Sequence, residues 1–154
     1  IFKKISTKQI VNKVTEVDKF YRNFLNKNAK IGITGLNPHC ESSDKINEEK
    51  KIITPAIKKL QKKGIKISGP FPADTVFLKR NRTNLNVIVG MYHDQVLSPI
   101  KTLFEFCAIN ITLGLPFIRI TPDHGPNNIM LGMNKSDPSS LIEAFKFIKN
   151  IRGN

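Results

Sequence analysis

Acidic residues are scarce: 12 Asp and Glu stand against 25 Lys and Arg, leaving a formal charge of +13 over 154 residues. That excess attracts polyanions in principle, but the lysines (Lys3, Lys4, Lys13, Lys50, Lys51, Lys58, Lys59, Lys62, Lys63) are spread along helical surfaces rather than clustered. Solvated surface charge therefore explains them better than a nucleic-acid or lipid face. A noncatalytic basic binding module remains a distant alternative. Long apolar runs are also missing. None approaches the ~18–20 residues that span a bilayer, so no membrane partner is expected. The basic start, Ile1-Phe2-Lys3-Lys4-Ile5, has no apolar segment or cleavage site of a signal peptide. Cysteine is limited to Cys40 and Cys107, which excludes a disulfide scaffold. No Met opens the chain, so a fragment or a processed product is expected. Neither a G-x-G-x-x-G turn nor a Walker loop is present. Together these absences point to a cytoplasmic globular domain, or part of one, without a standard nucleotide signature.

What is present is an alternation of helical and strand-like segments. Ile10, Val14, Val17, Tyr21 and Phe24 fall on one face of a helix over 7–26, with Ser6 or Thr7 as cap. The run from Lys30 to Leu36 reads as a strand, broken by Asn37-Pro38-His39. Ser42, Ser43 or Asp44 can cap a second helix reaching about Lys63, with Ile52, Ile53, Ala56, Ile57 and Leu60 buried and Gly64 as stop. Residues 65–67 read as a brief strand, and Gly69 to Asp74 as a stiff loop because of its two prolines. Val87–Met91 reads as a buried strand, and a helix is expected near Val96–Phe106 with Pro99 in its first turn. Strands at Ile109–Leu113 and Phe117–Thr121 follow. A loop then leads to a final helix, capped by Asp137 or Ser139 and burying Leu141, Ile142, Phe145 and Ile148. The pattern predicts an α/β fold with a largely parallel sheet flanked by helices.

Ligands of such sheets gather beyond the carboxyl ends of the strands. His39 and His93 both follow strands, and imidazole is a common ligand of divalent metals. Asp74 and Asp94 stand at similar junctions, so a metal site with an open position for substrate is one reading, and hydrogen-bonded loop histidines are the other. Arg119 sits in an apolar stretch and calls for an anionic ligand or an internal salt bridge. Lys101 and Asn110 lie nearby in sequence. In Asp123-His124-Gly125 the glycine permits close backbone approach, although an Asp-capped turn explains the segment as well. Cys40 reads as a small buried residue and Cys107 as unreactive.

Several stretches carry a resemblance when taken together: Gly35-Leu36-Asn37-Pro38-His39, Gly69-Pro70-Phe71-Pro72-Ala73-Asp74-Thr75, Met91-Tyr92-His93-Asp94-Gln95, Asn110 to Arg119, Asp123-His124-Gly125 and Asp137-Pro138-Ser139-Ser140. In order and spacing they resemble the 4-hydroxythreonine-4-phosphate dehydrogenase family of vitamin B6 (pyridoxal phosphate) biosynthesis, and the chain looks like the C-terminal half of a member. The resemblance implies an isocitrate/isopropylmalate dehydrogenase-like fold in a two-domain subunit. Residues 1–120 would belong to the central, dimer-forming domain, and 121–154 would return to the other domain. It implies His39 and His93 as ligands of a divalent metal (Zn, Mg or Co), with Asp74 and Asp94 as catalytic carboxylates beside it. Lys101, Asn110 and Arg119 would bind a small phosphorylated substrate. His124, Gly125 and Asp137 become candidates for contact with NAD (or NADP). A third metal histidine would lie upstream of this chain, and the active site at a homodimer interface. The chain by itself is expected to be inactive or poorly folded.

The chain departs from the family pattern at Cys40-Glu41-Ser42-Ser43, at Val96 in place of a usual glycine, and at Ile129 in place of an acidic residue. These departures keep open a paralogous dehydrogenase acting on another phosphorylated hydroxy acid.

Overall fold

Ile31 and Ile33 are almost wholly buried, at 1% and 0% exposed, and Gly32 and Thr34 on the opposite face of the same strand are buried too, so the strand is covered on both faces. In this computed structural model, which describes residues 5–40, 47–126 and 128–152, the chain divides into two compact units between Leu97 and Ser98. The first unit contains α1 (Thr7–Leu25), β1 (Ile31–Thr34), a π-helical turn (Glu49–Ile53) leading into α2 (Thr54–Lys62), β2 (Ile67–Phe71), a short α3 (Lys79–Arg82) and β3 (Val87–Val89). Helix α4 (Asp94–Phe104) follows, then a 3-10 turn (Glu105–Cys107), β4 (Ile109–Thr112), β5 (Arg119–Pro122) and α5 (Ser139–Arg152).

The three strands of the first unit form a parallel sheet in the order β2-β1-β3. Ile31 pairs with Ile67 on one side and Val87 on the other. Helices α1 and α2 pack together and, with Ile53 of the π-helical turn, supply Ile10, Val11, Val14, Ala56, Ile57 and Leu60 to the core around β1. The α/β class with a parallel sheet thus agrees with the alternation in the sequence. Ser6 caps α1, its Oγ accepting the Gln9 N–H at 3.2 Å. Gly64, in the left-handed region at φ 77°, follows the end of α2. The caps expected at Ser42, Ser43 and Asp44 lie outside the described residues.

Some details differ from the sequence reading. Phe24 is exposed; its ring leans on Phe20 at 5.4 Å on the outer side of α1. The strand expected at 65–67 begins only at Ile67 and runs on through Gly69 and Pro70 to Phe71, into the segment expected as a loop. Proline is tolerated there because β2 is an edge strand. The β1–β2 register shifts between Gly32 and Thr34, which absorbs the irregular segment. Gly69 has φ 128°, and a Cβ on it would lie 2.4 Å from the Ile33 carbonyl oxygen, so glycine is required. Helix α4 starts at Asp94, earlier than Val96, and Pro99 falls inside it rather than in its first turn. The His93 carbonyl starts it by accepting both the Val96 and Leu97 N–H groups. Helix α3 had no clear signal among its cationic residues, Lys79-Arg80-Asn81-Arg82.

In the second unit β4 and β5 form an antiparallel ribbon, pairing Asn110 with Thr121 and Thr112 with Arg119. Helix α5 packs on both strands. Its inward residues are Ser140 and Ala144, at 3% and 5% exposed, while Leu141, Ile142 and Phe145 are exposed. Three of the four residues of the expected apolar face are therefore turned outward, and only Ile148 is half-buried. The Ser140 hydroxyl sets the helix's rotation: it donates to the Ala108 carbonyl and accepts the Asp123 N–H.

Candidate functional site

The C-terminal ends of the three parallel strands share one rim of the first unit's sheet, and each leads into a loop with a candidate residue. After β1 comes a turn closed by Cys40 N–H to the Asn37 carbonyl at 3.0 Å. The Asn37 side chain accepts the His39 N–H at 3.3 Å. Asn, Pro and His suit this turn: Asn folds back on the backbone, and Pro sets φ for its second position. His39 is exposed, and its ring has no partner among the described residues. Cys40 is half-buried rather than fully buried.

The turn is anchored from below. Glu49, only 2% exposed, accepts the Leu36 and Asn37 N–H groups on Oε1 at 2.9 and 2.8 Å. Its Oε2 has no hydrogen-bond partner among the described residues. Gly35 leaves room for this, since a Cβ there would meet Cys40 Sγ at 2.6 Å and Glu49 Oε1 at 3.2 Å.

After β3, His93 and Asp94 are both exposed, and His93 Nδ1 lies 2.8 Å from Asp94 Oδ1. A proton held on Nδ1 by that carboxylate leaves the Nε2 lone pair open, the form in which histidine ligates metals. Two residues on, Gln95 is buried at 6% exposure. Its Oε1 accepts Thr34 Oγ1–H at 2.9 Å and Met91 N–H at 2.7 Å, and its Nε2 donates to the Gly35 carbonyl at 2.7 Å. Val96 sits within α4, so a helical conformation takes the place where a permissive glycine was expected. After β2, Thr75 and Val76 N–H groups bond to the Pro72 carbonyl, and this turn leaves Asp74 exposed.

His39 and His93 thus follow neighbouring parallel strands, as the sequence reading required of a shared crevice. No three of His39, His93, Asp74 and Asp94 converge as a ligand group. Imidazole nitrogen is a donor that suits divalent metals, and the His39 ring has no partner among the described residues.

In the second unit, Asn110 and Arg119 lie on one face of the β4–β5 ribbon, because Arg119 pairs directly with Thr112, two residues from Asn110 on β4. Arg119 is exposed, not buried, and its Nη1 donates to Thr112 Oγ1 at 3.0 Å. It makes no ion pair with a carboxylate among the described residues, so of the two expected partners the internal salt bridge is not the one found. Lys101 Nζ pairs with Asp123 Oδ2 at 3.0 Å and also donates to the Asp123 carbonyl. His124 and Gly125 follow, both exposed, with His124 Nδ1 3.1 Å from the Gly125 carbonyl oxygen. A Cβ on Gly125 would meet nothing within 4 Å, so the chain itself does not demand glycine, and open space lies at that point. Asp137 Oδ1 accepts the Ser139 N–H at 2.8 Å at the start of α5. The Ser139 side-chain and backbone hydrogen bonds hold its carboxyl below the usual carboxylate range. Ile129 is exposed in a 3-10 turn.

Glu49, Gln95, Asp123 and Ser140 were not among the residues expected at the site. Gln95, Asp123 and Ser140 lie within matched motifs, but Glu49 is one charge in the run Glu48-Glu49-Lys50-Lys51.

Comparison with known proteins sets these features in a family. The chain matches the family model "Pyridoxal phosphate biosynthetic protein PdxA" over residues 1–148. It is 44% identical over 153 residues to a 4-hydroxythreonine-4-phosphate dehydrogenase from Sulfurihydrogenibium, covering 96% of this chain and 47% of that protein. A relative from Oceanobacillus iheyensis, 43% identical over 120 residues, is named for D-threonate 4-phosphate instead; 77% of this chain and 36% of that protein are covered. Among solved structures, a 4-hydroxythreonine-4-phosphate dehydrogenase from Burkholderia phymatum superposes with a TM-score of 0.78 at 31% identity, covering 97% of this chain and 46% of that one. The chain thus spans about half or less of the length of these relatives. With the family model matched over nearly all its length, the chain belongs to the PdxA family of pyridoxal phosphate biosynthetic proteins.

Proposed function

We propose that the complete protein oxidises 4-phosphohydroxy-L-threonine with NAD (or NADP), the resulting β-keto acid losing carbon dioxide to give 3-amino-2-oxopropyl phosphate. The family match over residues 1–148 carries this reading. The placement of His39 and His93 beyond neighbouring parallel strands supports it. Both histidines would hold a divalent metal (Zn, Mg or Co), with a third histidine contributed from upstream of this chain. When bound, such an ion lowers the pKa of a coordinated hydroxyl and stabilises charge on a neighbouring oxygen, and the nicotinamide takes up the hydride.

The chain's own residues do the positioning. Arg119, exposed and unpaired with any carboxylate among the described residues, presents a fork suited to phosphate. Asn110 shares its face of the ribbon, and Lys101 adds a second cation held by Asp123. Asp94 orients His93. Asp74, exposed after β2, would accept a proton from the substrate hydroxyl. His124, Gly125 and Asp137 would face the cofactor, where a carboxylate suits ribose hydroxyls.

We also assign residues 1–120 to a central, dimer-forming domain and 121–154 to a segment that returns to the other domain, with the active site at a homodimer interface. Exposed Leu103, Phe104, Phe106 and Phe117 support a covered surface in the first part, and Leu141 and Phe145 in the second. No described helix is long and apolar enough to cross a membrane; a cytoplasmic enzyme is proposed.

The test follows NADH formation from 4-phosphohydroxy-L-threonine by the protein expressed from its complete reading frame, with and without divalent metal, beside His93→Ala. Metal-dependent turnover that disappears in the variant is expected. The relative named for D-threonate 4-phosphate favours a second reading, a paralogue acting on another phosphorylated hydroxy acid. Turnover of D-threonate 4-phosphate in preference to the first substrate would establish that reading instead.

A further inference from the structure

We propose that Gln95 is a positioning residue, whose buried carboxamide ties the end of β1 to the end of β3 and so sets the separation of the loops that carry His39 and His93. The inference rests on the reading of those histidines as metal ligands.

Backbone pairing between β1 and β3 ends at Ile33 with Val89. Beyond that point the ladder between β1 and β3 stops, and Gln95 bridges the two chains. From β1 it receives the Thr34 hydroxyl and reaches the Gly35 carbonyl; from the β3 side it receives the Met91 N–H. One side chain must accept from two donors and donate to an acceptor. A carboxamide does this; a carboxylate lacks the donor and an alkyl chain lacks both. At 6% exposure, water is poorly placed to substitute for it, and unpaired buried groups at Gly35 and Met91 would pull the loops into other arrangements.

Gly35 lies four residues before His39, and Met91 two before His93. The clamp thus acts close to both imidazoles but touches neither. The ladder below it, from Ile31 to Ile33, does not depend on Gln95. Loss of the amide should therefore free the loops while the sheet stands. Groups that orient metal ligands from behind typically affect metal affinity by ~10–100-fold when removed.

The experiment measures Co2+ affinity by visible absorption, and Zn2+ affinity by competition, on the complete protein. Gln95→Met is expected to weaken Co2+ binding by ~10–100-fold with secondary structure unchanged. Gln61→Met is the control. It removes another side-chain amide bond on the same sheet, Gln61 Nε2 to the Ile67 carbonyl at 3.0 Å, and should leave Co2+ affinity unchanged. Equal loss in both variants would mean a general loosening and would overturn the proposal, as would unchanged affinity in folded Gln95→Met. If Gln95→Met does not fold, Thr34→Val replaces it, removing one arm of the clamp at nearly constant volume. Weaker Co2+ binding there supports the proposal, and unchanged affinity overturns it. His39→Ala and His93→Ala separate the two levels of inference. If they also bind Co2+ like the parent, the ligand reading falls and the clamp with it. If they lose the metal while Gln95→Met keeps it, the clamp alone falls.

Discussion

Asp123 holds Lys101 twice, through its carboxylate at 3.0 Å and through its own backbone carbonyl. The ammonium retains one further donor for a ligand, and its direction is set by Asp123. Asp123 is itself placed by Ser140, whose hydroxyl accepts its N–H at 2.9 Å. Asp123→Asn keeps the carbonyl contact and removes the charge. With Lys101 more than a third exposed, the ion pair is worth no more than about 1 kcal/mol after solvent screening. Steady-state kinetics of the complete protein should show KM for the phosphorylated substrate raised by roughly fivefold with kcat little changed. A fall in kcat at constant KM would place Lys101 elsewhere in the reaction.

Gly69 offers a stability test remote from the chemistry. Its φ is 128°, and the methyl group of an alanine there would sit 2.4 Å from the Ile33 carbonyl oxygen, closer than the two atoms can approach. Gly69→Ala should destabilise by about 1–3 kcal/mol. In urea the midpoint should fall while the slope stays constant. Parent-like stability would show that β2 can shift away from β1 at little cost.

Asp137 gives α5 a pH-dependent cap. Its folded pKa is depressed by the Ser139 hydrogen bonds, so its contribution is complete above the ordinary carboxylate value of about 4. It is lost as pH falls through the depressed folded value. Asp137→Ala should therefore be less stable than the parent near neutral pH, and the two melting curves should converge in acid. A difference that persists at the lowest pH would mean that the carboxylate is not the stabilising form.

The sequence was most informative where apolar periodicity and turn chemistry agree. Ala56, Ile57 and Leu60 mark the buried side of α2, Ile53 continues it into the preceding π-helical turn, and Ser6 marks the start of α1. His39 and His93 were legible because each follows an apolar run that must end at the same rim of a parallel sheet. The orientation of α5 was not legible. Leu141, Ile142 and Phe145 have the spacing of a buried face, but hydrogen bonds of Ser140 fix which side meets the ribbon. Arg119 was expected among apolar neighbours on the basis of local sequence, whereas pairing of β5 with β4 leaves it exposed. The supports of the site, Glu49 and Gln95, depend on contacts across 12–13 and 60–61 positions of chain, beyond the reach of local pattern.

The central place of β1 also has a consequence in time. Synthesis makes this strand before either of its neighbours: Ile31 leaves the ribosome ahead of its partners Ile67 and Val87. At ~5–20 residues per second, its two hydrogen-bonding edges stay open on the order of seconds. Ile31 and Ile33 lack their cover until Ile53, Ala56, Ile57 and Leu60 follow, and β1 keeps one edge open until Val87 to Val89 are made. The nascent chain is therefore most in need of a chaperone before β3 emerges, and a synonymous slowing of translation between β1 and β3 should lower the soluble yield without altering the finished protein.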